Sequence, residues 1–190
     1  MLVVGFFIAL SAVVPGFTKV NIPPIGQVAP FRFTNQDGKE VTEKDMAGKV
    51  VAVEYFFTTC KGICPRLNKN LRTVYDVFKG EPDFLILSHT SDPETDSAAK
   101  LKRYADSMAV NTAQWVFLTG RKDSLYNMAR RSYKIDDPAN NVSSVADDFL
   151  HTQFIALVNR KGDVVKIYDG LKPSEMKELT REIKKLLKDG

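Results

Sequence analysis

The chain is poor in the residues that most often carry chemistry. Its 190 residues include two cysteines, two histidines and one tryptophan. No cysteine lies outside Cys60 and Cys64, so their spacing of four is not a chance feature of a cysteine-rich chain. The apolar run Leu2–Phe17 has no charge, no preceding Lys or Arg and no cysteine to carry a lipid. With Val13-Val14-Pro15-Gly16 as a poor small-residue cleavage site, these absences argue against an ordinary signal peptide. No basic patch is interleaved with aromatics, so nucleic-acid binding is not expected. There is no internal repeat, low-complexity tract or exposed heptad, which leaves a monomer as the expected state. Excess charge is small, 27 basic against 23 acidic side chains, for a net +4. Much of it lies in Lys172–Lys188, where glutamates alternate with lysines in the manner of a solvated helix face.

What is present fits one soluble domain behind an apolar segment. The apolar fraction of 44% and charged fraction of 26% are ordinary for a globular protein. Residues 1–17 read as a hydrophobic membrane anchor or signal segment; a helix over Leu2–Phe17 spans roughly 24 Å, short of a full bilayer core. A buried first helix is the alternative. Residues 18–30, with Pro23-Pro24 and Gly26, read as an extended linker, and residues 31–190 as the folded domain.

Within that domain the pattern alternates. Phe31–Thr34 and Lys39–Thr42 flank Asp37-Gly38 as a hairpin. Val50–Phe57, apolar but for Glu54, predicts a buried central strand. Leu67, Leu71, Val74, Tyr75 and Phe78 predict a helix ended by Gly80 and Pro82. Asp83–Ser88 and Gln114–Leu118 read as strands, Asp96–Met108 as a helix, and Asp123–Tyr133 as a helix opened by an Asp-Ser cap. Residues 135–148 form a polar loop. Phe154–Val158 and Val164–Tyr168 form a hairpin around Asn159–Gly162, and a last helix starts at Pro173. This order predicts an α/β fold, a central mixed sheet flanked by helices in the thioredoxin-like arrangement.

The cysteines sit where the first internal strand hands over to its helix. Helix N-termini stabilise thiolate, and Pro65 fits a first turn that needs no N–H. The pair can close a disulfide or hold a soft metal. Redox thioredoxins place two residues between their cysteines, whereas three stand here, and no proline occurs between Pro138 and Pro173 to precede the facing strand. His151 occupies that entry instead. Pairing of its strand with Val50–Phe57 brings the imidazole towards the sulfurs, a soft three-donor set suited to Cu(I) and, with an added oxygen, to Cu(II). His89, at the end of the next strand, is a candidate fourth or transfer ligand. Asp92 and Asp96 read as a turn residue and a helix cap.

Four segments in order resemble the Sco (SenC/PrrC) family of copper-binding cytochrome c oxidase assembly proteins. They are Cys60-Lys-Gly-Ile-Cys64-Pro65, Asp92-Pro-Glu-Thr-Asp96, Trp115-Val-Phe-Leu-Thr-Gly120, and His151 with Phe154–Gly162. The resemblance runs from about Pro30 to the C-terminus and implies copper ligation by Cys60, Cys64 and His151. The chain departs from the family at Lys61-Gly62, where Pro-Asp is frequent, and at Leu150, where an acid often precedes the histidine; the nearest acids are Asp147 and Asp148.

The resemblance implies a membrane-tethered copper chaperone facing the periplasm or another extracytoplasmic space. Its expected recipient is the binuclear copper site of cytochrome c oxidase subunit II. The alternative is a thiol–disulfide oxidoreductase that keeps oxidase cysteines reduced, so enzymatic activity stays open. A sensor that binds without delivery is a further reading. A peroxidase is disfavoured, because Val53 and Phe57 occupy the positions of the proline and hydroxyl residue that precede a peroxidatic cysteine.

Overall fold

The computed structural model describes residues 23–137 and 149–189. The apolar run at 1–17, residues 18–22, and Asp147 and Asp148 lie outside the described residues. Among those described, no helix is long and apolar enough to cross a membrane.

Eight strands form one mixed sheet: β1 (Gly26–Gln27), β2 (Arg32–Asn35), β3 (Glu40–Thr42), β4 (Val50–Phe56), β5 (Phe84–Thr90), β6 (Trp115–Thr119), β7 (Phe154–Val158) and β8 (Asp163–Asp169). Their order is β1-β8-β7-β4-β5-β6-β2-β3. β4, β5 and β6 run parallel, and β7 returns antiparallel to β4 with Val51 opposite Val158 and Val53 opposite Ala156. The central position of β4 explains its composition. Every residue from Val50 to Phe56 is buried, so the strand must be apolar on both faces, and Glu54 is the exception.

Among the described residues four α-helices cover the sheet: α1 (Cys64–Val77), α2 (Ala98–Met108), α3 (Lys122–Asn127) and α4 (Pro173–Lys188). α1, α2 and α4 share one face, where Leu67, Leu71, Leu101, Ala105, Leu179 and Ile183 meet Ala52, Phe56, Ile86 and Trp115. The other face holds Leu125, Tyr126 and Tyr133 against Val53, Tyr55, Leu87 and Leu118. Burying each such large side chain stabilises the fold by roughly 1.5–3 kcal/mol. Gly170 lets α1 close on the end of β8: a Cβ there would lie 2.0 Å from Leu67 Cδ1.

The two hairpins form as expected, with Gly38 and Gly162 taking positive φ at their turns. Three expectations change. Part of the expected linker is an edge strand: Ile25 N–H and Val28 N–H donate to Val164 and Gly162 carbonyls, and β1 pairs with β8. The helix expected from Asp96 begins after Ser97, whose hydroxyl accepts from Lys100 N–H and serves as the cap. The Asp-Ser cap expected at 123–124 does not form. α3 opens at Arg121 without a side-chain cap, Asp123 pairs with Arg121, and Met128–Ser132 continues as a wider π-helical turn. Sequence period reports which face is buried, not where the last turn widens.

Candidate metal and thiol site

Cys60 lies within the loop leaving β4, and Cys64 is the first residue of α1. The loop is a tight turn, with Cys60 N–H donating to the Phe57 carbonyl at 3.2 Å. α1 starts behind Ile63 with no side-chain cap; Arg66 N–H donates to the Ile63 carbonyl at 3.0 Å, and Pro65 stands where no N–H is needed. The two cysteines are unlinked thiols. They are unequal. Cys60 is half-buried; its desolvation is outweighed by hydrogen bonds from Cys64 and from the Gly62, Ile63 and Cys64 backbone, which hold its pKa below the ordinary thiol value. Cys64 is 3% exposed, and burial pushes its thiol up to about 12, with the Cys60 hydrogen bond adding to the rise. The pair therefore holds its first negative charge on the exposed sulfur.

His151 is exposed and lies at the same end of the sheet. Thr152 beside it is pinned by its hydroxyl, which donates to the Ile135 carbonyl at 2.7 Å. The imidazole centroid is 6.4 Å from the Phe57 ring, which Phe149 also touches at 5.2 Å. Phe57 thus links the histidine to the cysteine loop. Among the described residues no three His, Cys, Asp or Glu side chains are gathered closely enough to hold a metal ion. The expected three donors share one end of the fold without forming a closed set. Leu150, at the position where the resemblance leads to an acid, is buried in the opposite core face.

His89 is not a neighbour of the thiols. It is fully buried on the face away from α1, stacked on Tyr55 at 5.0 Å and edge-on to Phe33 at 5.4 Å. Neither ring nitrogen has a hydrogen-bond partner among the described residues, and burial pushes its pKa down to about 3. The expectation of a fourth or transfer ligand fails because alternation along β5 sends residue 89 to the other side of the sheet.

Asp96 is not a helix cap either. Its carboxylate is fully buried and accepts from Thr58 N–H at 3.0 Å, Thr58 Oγ1 at 2.5 Å and Thr90 Oγ1 at 2.7 Å. Asp92 keeps its expected turn role, accepting from Thr95 N–H at 3.2 Å.

One group escaped the sequence argument. Glu54 is fully buried on the α1 face and accepts from Ser88 Oγ, which in turn accepts from Trp115 Nε1 at 2.8 Å. Asn68, one turn along α1 from Cys64, completes the network: with its oxygen accepting from Tyr104 Oη, its Nδ2 donates to Glu54 at 2.8 Å. Burial pushes the Glu54 carboxyl up to about 8, the Ser88 hydrogen bond offsetting only part of the rise. The sequence signal was a lone acid in an otherwise apolar strand.

A family model described as SCO1/SenC matches residues 23–188. A SCO1 protein homolog of Bacillus subtilis (strain 168) is 30% identical over 173 residues, covering 89% of this chain and 87% of its own. Among solved structures, a SCO1/SenC family lipoprotein from Bacillus anthracis superposes with TM-score 0.74 at 28% identity, covering 86% of this chain and 97% of the other. BsSco, described as a Sco family member among cytochrome c oxidase assembly proteins and as having a disulfide switch, gives 0.72 at 29% identity, with 87% and 96% covered. Arabidopsis thaliana ScoI, solved with copper bound, gives 0.66 at 26% identity, with 87% and 99% covered.

Proposed function

The chain belongs to the SCO1/SenC family, and from that membership and the asymmetry of its thiols we propose that it is a copper-binding protein of cytochrome c oxidase assembly. Copper is its cargo. It binds through Cys60, Cys64 and His151 and passes to the binuclear copper site of oxidase subunit II. The chain is tethered by residues 1–17, with its folded part facing the periplasm or another extracytoplasmic space, and acts as a monomer. Relatives solved with copper bound and a relative described as a lipoprotein support this reading.

The observation that carries it is the unequal reduced pair at the start of α1. The half-exposed Cys60, whose thiol loses its proton more readily than that of Cys64, captures Cu(I) first. Cys64 then loses its proton to the metal bond, since thiolate and not thiol is the ligand. His151 supplies the third, borderline donor. Three soft or borderline donors hold Cu(I) firmly yet leave a coordination position for an incoming thiolate of the recipient, so the metal passes by ligand exchange. Oxidation of the pair to a disulfide removes two electrons and two protons and abolishes the donor set, which makes loading dependent on redox state.

A second reading uses the same asymmetry: a half-buried thiol of lowered pKa beside a buried one also suits thiol–disulfide exchange. Exchange needs both sulfurs and no imidazole. Anaerobic Cu(I) titration of the full chain and its His151→Ala variant against a competing chelator separates the two. A one-to-one complex weakened at least tenfold by the substitution, with disulfide exchange unchanged, supports copper handling. Equal affinity in the two proteins removes His151 from the site and favours exchange.

A further inference from the structure

Charge is not spread evenly round α4. Its three acids all have partners: Glu175 accepts from Asp169 N–H at 2.5 Å, Glu178 pairs with Lys166, and Glu182 accepts from Lys185 Nζ at 3.2 Å. Lys177, Arg181, Lys184 and Lys188 are exposed, and their side chains make no hydrogen bond or ion pair among the described residues. Glu178 feels Arg181, but as a lesser charge than Lys166. Asp189, just past the helix, is the one acid lining the groove formed by Arg181, Lys184, Lys185 and Lys188.

The four unpaired cations stand at i, i+4, i+7 and i+11. At about 3.6 residues per turn this keeps them within about 60° of arc and strings them over roughly 16 Å. Met176, Leu179 and Ile183, on the opposite side of the helix, are buried. Like charges one turn apart destabilise a helix. The helix dipole favours cations only in the last turn, so it accounts for Lys188 and not for Lys177 or Arg181. A straight row of unpaired cations fits an extended negative surface.

The place of α4 in the fold says which surface. Ile25 N–H donates to the Val164 carbonyl at 2.8 Å, so the chain enters the domain alongside β8, and Lys166 of β8 is bonded to Glu178 of α4. Between Phe17, the end of the apolar run, and Ile25 the chain reaches at most roughly 29 Å. A domain held so close to a bilayer meets it at high effective concentration, and cations alone then suffice for contact. No large apolar side chain of α4 is exposed, so the row lacks the aromatic anchors that concentrate affinity in a protein–protein contact. We propose that the Lys177, Arg181, Lys184 and Lys188 face of α4 docks on anionic lipid headgroups of the membrane that holds residues 1–17. This deepens the function proposed above and rests on its tether.

The consequence is an orientation. α4 runs the length of the sheet: it begins just after Asp169, the partner of Phe154, and ends where Arg160 Nη2, in the β7–β8 turn, donates to the Leu187 carbonyl at 3.3 Å. With α4 laid on the bilayer, the sheet end that carries Cys60 and His151 faces along the membrane plane, towards a membrane-embedded recipient.

The test reconstitutes the full chain into phosphatidylcholine vesicles and into vesicles of equal parts phosphatidylcholine and phosphatidylglycerol. Acetylation of each lysine is followed by peptide mass spectrometry. Lys177, Lys184 and Lys188 react roughly three- to tenfold more slowly on the anionic vesicles, while Lys39 and Lys44, flanking β3, are unchanged. Molar salt, which shortens the Debye length to roughly 3 Å, abolishes the difference. Lys177→Glu/Arg181→Glu, checked for folding by circular dichroism, loses the protection at Lys184 and Lys188. Equal rates on the two kinds of vesicle overturn the proposal, and that comparison needs no variant. Protection by poly-L-glutamate but not by the anionic vesicles overturns it too, since the row then meets an acidic protein. Flotation reports on the tether separately. A chain that floats only with the anionic vesicles, its row protected, keeps the docking face and sinks the anchor at residues 1–17.

Discussion

Ser88 and Glu54 are register partners on β5 and β4, and the Ser88 hydroxyl donates to the Glu54 carboxyl at 2.5 Å in a fully buried network. The carboxyl is pushed up to about 8, so the folded chain holds a proton there that the unfolded chain releases near 4.5. A raised folded-state pKa gives stability that is complete below 4.5 and is lost as pH rises through 8. The expected loss is roughly 1 kcal/mol per pH unit across that window. Urea midpoints at pH 6.5, 7.25 and 8, at and above the point where His89 titrates in the unfolded chain, check it: they fall with pH in the wild type, and the fall is flattened in Glu54→Gln.

His89 has the opposite sign. Its ring is buried neutral with a pKa of about 3, against 6.5 for an exposed histidine. A depressed folded-state pKa gives stability present above 6.5 and lost as pH falls towards 3, because only the unfolded chain takes up the proton. Since the ring packs among Phe31, Phe33 and Tyr55 with both nitrogens unpartnered among the described residues, His89→Phe abolishes this acid limb at little cost in packing. Between 4.5 and 6.5 the Glu54 and His89 slopes oppose each other, so thermal melts place the wild-type maximum there. A steep acid limb surviving in His89→Phe contradicts the assignment.

The inequality of the thiols predicts an order of reaction. Cys60 is half-buried with a lowered pKa, whereas Cys64 is buried and pushed up to about 12. With limiting iodoacetamide at pH 7 in the reduced chain, peptide mapping finds the label on Cys60 first. Equal labelling of the two positions means that the Gly62, Ile63 and Cys64 amides do not discriminate between them.

The fold was legible wherever period and turn chemistry act alone: β4 as an apolar run, α1 from Leu67, Leu71 and Val74, the hairpins from Gly38 and Gly162. The cysteine pair and its place at a helix start were equally readable, because strand-to-helix junctions are local. What escaped was set by tertiary contact. A carboxylate before a helix is usually a cap, and only the folded chain reveals that Thr58, 38 positions away, claims Asp96 while Ser97 caps α2. Glu54 looked like one charge on a buried strand; its meaning depends on Ser88, Asn68 and Trp115 arriving from three other elements. His89 stands at the expected sheet end, and strand alternation puts its ring on the face away from the thiols, against Tyr55.

Close packing of α1 onto the sheet predicts a further effect. Gly170 lies under Leu67 and its carbonyl accepts from Asn70 Nδ2 at 2.8 Å. Gly170→Ala must displace the buried Leu67 side chain, and overpacking of this kind costs roughly 1–3 kcal/mol. Urea denaturation checks the stability, and a tighter or unchanged fold contradicts the contact.

Cys60, Cys64 and His151 are the copper donors we propose. X-ray absorption at the copper edge of the Cu(I)-loaded full chain tests this set most directly. The expected spectrum has two sulfurs and one nitrogen per copper, with the nitrogen shell lost in His151→Ala. A sulfur-only shell, or a nitrogen shell that survives in His151→Ala, contradicts it.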